Sequence, residues 1–148
     1  YNFAIKLFRE LPKGDNICHG DFHPGNIMMQ DGMEYIIDWT GACLGSGISD
    51  IAHTYLLMTH VPVVPGQSYV QHKILTIAGS FMARSYLKEV MKLMKVDMVE
   101  FSKWTVAMSL FRVYCGLPSE LEERIRYIEN CYNLNQKGTD AASWYKLL

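Results

Sequence analysis

Long apolar runs are missing from this 148-residue sequence. The patches at residues 55–58 and 61–64 are short, and His60, Pro62 and Pro65 interrupt them well before the roughly 18 to 20 residues that cross a bilayer. No transmembrane helix is expected. The opening residues lack the basic flank, apolar stretch and small-residue cleavage site of a secretory signal, and the absence of Met at Tyr1 points to a fragment or a trimmed chain. A surplus of one charge is also absent. With 14 Lys and Arg against 15 Asp and Glu, the formal net charge of -1 leaves no footprint for nucleic acid or an anionic membrane. The four cysteines, Cys18, Cys43, Cys115 and Cys131, include no C-x-x-C pair, so neither a zinc ribbon nor a thioredoxin-like motif is present. Reduced thiols in a cytoplasmic protein fit best, while the even count leaves a disulfide pair open. No internal repeat and no low-complexity segment is found.

What is present suits one globular domain with its own core: 49% of residues are hydrophobic and 20% charged. Residues 3–11 predict a helix that closes before the breakers Pro12, Gly14, Asp15 and Asn16. Residues 27–29 and 33–37 flank Asp31-Gly32 and predict a β-hairpin. Gly41, Gly45 and Gly47 keep the next stretch loose until Ser49 or Asp50 caps a helix to about Thr59. From Ser68 onward, Val70, Ile74, Ile77, Phe81, Leu87, Val90, Met91 and Met94 recur mostly at three- and four-residue steps. They predict one long amphipathic helix, with Gly79 as the place for a bend. Asp97 and Glu100 start another helix, which runs past Trp104 and Phe111 to a stop at Gly116. Pro118, Ser119 and Glu122 open a third that ends before Gly138, and residues 140–148 add a short last one. Phe81, Met82, Trp104, Phe111 and Tyr114 are expected in the core. The fold class is α+β, mainly α: a hairpin and a loop on a helical body.

Chemistry concentrates in Cys18-His19-Gly20-Asp21-Phe22-His23-Pro24-Gly25-Asn26 and, beyond the hairpin, Ile37-Asp38-Trp39. Set beside the kinase catalytic loop H-R-D-L-x-x-x-N, residues 19–26 agree at His, Asp and Asn with the same spacing. Asp38 then stands where a metal-binding Asp follows. Phosphoryl transfer asks a site to orient a hydroxyl and to neutralise charge with Mg2+. Asp21 is the candidate acceptor of the hydroxyl proton. Asn26 and Asp38 offer the hard oxygens that Mg2+ prefers, with room left for water and nucleotide phosphates.

Hairpin parity bears on that pairing. A three-residue loop with Gly32 left-handed sets Met29 opposite Met33 and Asn26 opposite Ile36, which sends Asn26 and Asp38 to one side. A two-residue turn sets Gln30 opposite Met33 and flips the parity, so the shared ion would require irregular backbone by residue 38. The three-residue register is the one expected.

The string HGDFHPGN, followed by IDW and Ser49-Asp50-Ile51-Ala52, resembles the aminoglycoside phosphotransferase and choline kinase-like family, which shares the protein-kinase-like fold. Gly20 in place of the kinase Arg and Asp38-Trp39 in place of D-F-G favour small-molecule kinases. The likeness is specific over residues 18–53 and one of general character beyond them. It implies Mg2+-dependent transfer of the γ-phosphoryl of ATP or GTP to a hydroxyl of an aminoglycoside- or amino-alcohol-like small molecule. By the same resemblance Asp21 is the catalytic base, and Asn26 and Asp38 bind metal and nucleotide. His23 takes the basic position near the transferred phosphate, and His19 and Asp50 brace the loop. Such kinases hold nucleotide between two lobes, the N-terminal one supplying a glycine-rich loop, a strand lysine and its glutamate. Only 20 residues precede Asp21. Residues 1–148 are therefore expected to form the C-terminal lobe, to have little activity alone, and to self-associate through apolar surface that the absent lobe would cover.

Plainer readings stand beside these. Cys18, His19 and His23 could suggest zinc, but Gly20, Pro24 and Gly25 argue against a helix that would align the histidines, and loop bracing is the default. Asp50 reads equally well as a helix cap. His53, His60 and His72 have no companions that make them ligands. Glu120, Glu122, Glu123 and Glu129, diluted by Arg124 and Arg126, suit a solvated helix face better than a seat for a substrate ammonium. The alternative function is a non-catalytic, kinase-like interaction module.

Overall fold

The computed structural model describes residues 1–61, 65–115 and 118–148. The Pro62 interruption and the expected stop at Gly116 lie outside them. Helix α1 (Asn2–Glu10) turns Ala4 and Leu7 inward, and β1 (Asn16–Cys18) leads into the loop that carries Asp21. Strands β2 (Ile27–Gln30) and β3 (Met33–Ile36) form the expected hairpin. The glycine-bearing stretch after it is not loose. It forms β4 (Cys43–Gly45), antiparallel to β1 with Cys18 opposite Cys43. Two three-residue strands are too short to show an alternating pattern, so the sequence carried no periodic sign of this ladder.

Helix α2 (Gly47–Thr59) begins earlier than expected: Ser46, not Ser49 or Asp50, occupies the N-cap position. It is the central element, with Ile51, Ala52, His53, Thr54, Tyr55, Leu56 and Thr59 all buried. Helix α3 (Tyr69–Leu93) starts in a complete capping box between Ser68 and Gln71 and runs unbroken through Gly79. The glycine serves close approach, since a Cβ there would lie 2.4 Å from the Met58 carbonyl oxygen. Helices α4 (Met98–Cys115) and α5 (Pro118–Gln136) follow, and a final 3-10 segment spans Ala141–Leu147 with Asp140 as its cap. Gly138 takes the left-handed conformation after α5 (φ 70°).

Two apolar clusters share α4. One joins α2, α3 and α4 through Ile51, Tyr55, Leu87, Phe101 and Trp104. The other joins α1, α4, α5 and the last segment through Leu7, Val106, Tyr127 and Trp144. The core expectation holds for Trp104 and fails for Phe81, Met82, Phe111 and Tyr114, all of which are exposed. Val70, Ile74 and Ile77 are exposed with Phe81. Helix α3 packs mainly on α2 and buries only Ala83 and Leu87, so its N-terminal apolar stripe has amphipathic spacing without a second layer among the described residues to meet it. All four cysteines are free thiols, so the disulfide left open by their number is not formed. None of the described helices is long and apolar enough to cross a membrane.

Candidate active site

The loop between β1 and the hairpin is held from below by α2. Asp50, in the first turn of that helix, accepts the backbone N–H groups of His19 (2.8 Å) and Gly20 (2.9 Å) through its two carboxylate oxygens. Asp50 is thus a loop brace and not the cap. Gly20 is left-handed (φ 79°), and a Cβ on it would lie 2.4 Å from the Gly41 carbonyl oxygen, which accounts for glycine at this place. His19 is buried, with Nε2 3.0 Å from the Ile37 carbonyl. That contact puts the ring proton on Nε2 and leaves Nδ1 to accept the Asp21 N–H at 3.3 Å. The ring also packs on Trp39, centroids 4.6 Å apart.

His23 precedes a 3-10 turn (Pro24–Asn26) and accepts the Gly25 N–H on Nδ1 (3.0 Å). Its Nε2 then faces Asp21, 3.8 Å from Oδ2, and both side chains remain partly open to solvent. Asn26 is buried. Its Nδ2 donates to the Asp21 carbonyl (2.9 Å), and its own carbonyl accepts the Ile37 N–H (2.9 Å). Asp21, Asn26 and the chain entering Asp38 therefore share one hydrogen-bonded frame.

The hairpin register differs from the expected one. Gln30 pairs with Met33 and Ile27 with Ile36 around a two-residue turn, because both Asp31 (φ 51°) and Gly32 (φ 75°) are left-handed. That primed turn matches the right-handed twist of the strands, and Asp-Gly is a sequence that favours it. The irregular backbone that this parity demands is present: Asp38 is itself left-handed (φ 61°, ψ 59°), breaking the pleat where its carboxylate leaves the hairpin. Asp38 Oδ1 accepts the Thr40 hydroxyl (2.7 Å).

The donor set suits Mg2+ and not zinc. With Asn26 Nδ2 committed to the Asp21 carbonyl, Oδ1 is left for a ligand, and Asp38 is exposed with Oδ2 outside the Thr40 bond. Two hard oxygens completed by water and phosphate are the usual provision for Mg2+. Among the described residues no group of three or more His, Cys, Asp or Glu could hold a metal ion. Cys18 Sγ turns instead to the Ser46 carbonyl (3.5 Å).

Beside His23 opens a cavity of about 320 Å³, walled by Leu57 and Met58 of α2, Gly79 and Met82 of α3, Arg112 of α4 and Glu120 of α5. Glu122, Glu123 and Glu129 lie on an exposed face as expected, but Glu120 does not: it is 2% exposed and sits between two guanidinium groups. Arg112 binds it through Nε (3.0 Å) and Nη2, and Arg124 approaches through Nε (3.5 Å) while donating to the Leu56 carbonyl (3.0 Å). Burial pushes the Glu120 carboxyl up, but the Arg112 hydrogen bonds and the surrounding positive charge outweigh it and hold the group below the usual range. His60 bonds Glu123 at 2.9 Å. Sequence reasoning missed Arg112 entirely; the Glu120–Arg124 spacing on a half-buried helix was the available hint. A larger apolar groove of about 660 Å³ between α1 and α4 carries no charged side chain and lies apart from this chemistry.

No curated protein and no solved structure matches the chain. The family model of the phosphotransferase enzyme family, APH, matches residues 3–77, which include the braced loop, the hairpin, Asp38 and Asp50. Because that match covers half of its length and includes the whole hydrogen-bonded frame around Asp21, the chain belongs to the phosphotransferase enzyme family.

Proposed function

We propose that the chain carries the catalytic loop of a small-molecule kinase that moves the γ-phosphoryl of ATP or GTP to a hydroxyl. The observation that supports this reading most is the Asp21–Asn26–Ile37 frame. It ties a candidate base, one candidate metal ligand and the chain entering the other together through the Asn26 side-chain amide on the Asp21 carbonyl and the Ile37 N–H on the Asn26 carbonyl. In this reading Asp21 accepts the proton of the attacking hydroxyl, and His23, oriented by the Gly25 N–H, sits beside it near the transferred phosphate. Asn26 Oδ1 and the Asp38 carboxylate would hold Mg2+, which when bound supplies charge neutralisation across the nucleotide phosphates. A glycine-rich loop and a strand lysine would come from an N-terminal lobe, residues 1–148 being the C-terminal one.

In the complete enzyme, Asp21→Ala is expected to lower turnover by about 10²- to 10⁴-fold while leaving the affinity for Mn2+-nucleotide, measured by electron paramagnetic resonance, close to its original value. Asp38→Ala is expected to weaken that affinity as well. Equal and mild effects of the two substitutions would overturn these roles.

A further inference from the structure

We propose that the cavity beside His23 takes a small hydroxylated anion, a carboxylate or phosphate monoester of a polyol, seated on Arg112, and does not take an aminated acceptor. The inference rests on the phosphotransferase reading of the Asp21 loop for what happens to the hydroxyl. What binds follows from the cavity itself.

An ammonium group needs a carboxylate with a spare oxygen. Glu120 is the one carboxylate among the described residues lining the cavity, and both of its oxygens are taken: Oε1 by Arg112 Nη2, Oε2 by Arg112 Nε and Arg124 Nε. Glu123, beside Arg124 and His60, offsets the second guanidinium, so what the cluster around Glu120 offers an anion is the unbonded edge of Arg112 and not a net charge. Arg112 is also held in one orientation. Glu120 occupies its Nε–Nη2 edge, and among the described residues nothing bonds Nη1, so the Nη1–Nη2 edge is left for a second planar or tetrahedral anion. The Arg112 side chain is 18% exposed, which leaves that edge reachable.

A second, independent observation points the same way. The His60 side chain is 10% exposed, and Nδ1 is engaged with the Glu123 carboxylate at 2.9 Å, so Nδ1 carries the proton. Nε2 is buried, lies on a residue that lines the cavity, and has no partner among the described residues. A ligand hydroxyl, which can both donate and accept, can supply the partner that this nitrogen lacks. The cavity therefore offers an anion seat at Arg112, a hydroxyl partner at His60 and, in its wall, His23, whose Nε2 lies 3.8 Å from Asp21 Oδ2. Its volume of about 320 Å³ suits a compact polyol acid and is small for a multi-ring guest. In the reaction the ligand's hydroxyl oxygen bonds to the γ-phosphorus and Asp21 receives its proton. The bond from that phosphorus to the bridging oxygen breaks, and the nucleoside diphosphate leaves with the electron pair.

The test is titration calorimetry of the full chain with D-glycerate, glycerol 3-phosphate, ethanolamine and glucosamine. One or both anions should bind and neither amine should, the first two probes distinguishing carboxylate from phosphate. Arg112→Lys, which keeps the charge and loses the fork, should raise the dissociation constant about tenfold or more. Because Arg112→Gln alone strands Glu120, the double variant R112Q/E120Q, checked for folding by circular dichroism, provides the second reading and should abolish anion binding. Binding of the amines alone, binding of none of the four probes, or anion affinity unchanged in both variants would overturn the proposal. Turnover of the complete enzyme separates the two readings. Phosphorylation of the amines alone defeats the anion seat and keeps the kinase, whereas Arg112-dependent anion binding without phosphorylation of any probe keeps the seat and defeats the kinase.

Discussion

Gly20 is left-handed and has the Gly41 carbonyl where a Cβ would be. Gly20→Ala therefore combines a backbone penalty of about 1–2 kcal/mol with a clash against main chain that cannot rotate away. A loss of at least about 2 kcal/mol in urea denaturation is expected, and a smaller change would show that the loop can yield. His53 gives a pH signature at the same scale. Burial, followed by the nearby Arg112 charge, holds its imidazole below the ordinary range, so the folded chain binds fewer protons there than the unfolded one. Stability from His53 is thus present above the unfolded value of about 6.5 and is lost as pH falls through the depressed folded value. Denaturation midpoints should decline below about pH 6.5, and His53→Gln should flatten that decline. Glu120, also depressed, adds its own loss only below its unfolded value of about 4.5. Residues 19–26 were legible in the sequence because their spacing lies within one loop. Arg112 and Glu120 were not, since they lie on two different helices and neither periodicity nor local spacing encodes such a pair.

At the scale of elements, α2 joins the core to the loop. Its buried face packs on α3 and α4, while Asp50 at its first turn reaches up to two N–H groups that have no strand partner. Asp50→Ala leaves both unpaired in a partly buried place. The expected cost is about 2–4 kcal/mol in denaturant unfolding, with Asp50→Asn recovering only part of it because one oxygen is replaced by a donor. A variant as stable as the parent would remove Asp50 from the brace. The hairpin was legible from Asp31-Gly32, but its register was not. Either one or two left-handed residues fit the same dipeptide, and strand twist decides between them. The β1–β4 ladder escaped because six residues, two of them cysteine and one glycine, hold no alternation to read.

For the whole molecule, the helical body is double-cored around α4, while the hairpin lies apart from both clusters with every residue of β2 and β3 exposed. Met28, Met33 and Tyr35 share one face of the hairpin and are 47%, 60% and 49% exposed, an apolar face without cover among the described residues. Self-association through this face is expected in sedimentation velocity at tens of micromolar, by order of magnitude, and Met28→Lys with Met33→Lys should restore the monomer. A parent chain that stays monomeric throughout would count against it. The helical content was readable from periodicity, but which faces meet was not, because an amphipathic stripe such as that of α3 says only that burial would be favourable.

The contact at Gly79 reaches furthest. Because α3 rests on α2 with main chain nearly touching main chain, the spacing of the two helices is a fixed gauge and not an adjustable seam. Exchanging Met82 or Leu57 can trim or deepen the chamber between them. Admitting a bulkier guest would require one helix to lift off the other, so tolerance for acceptor size should change in steps and not by gradual increments.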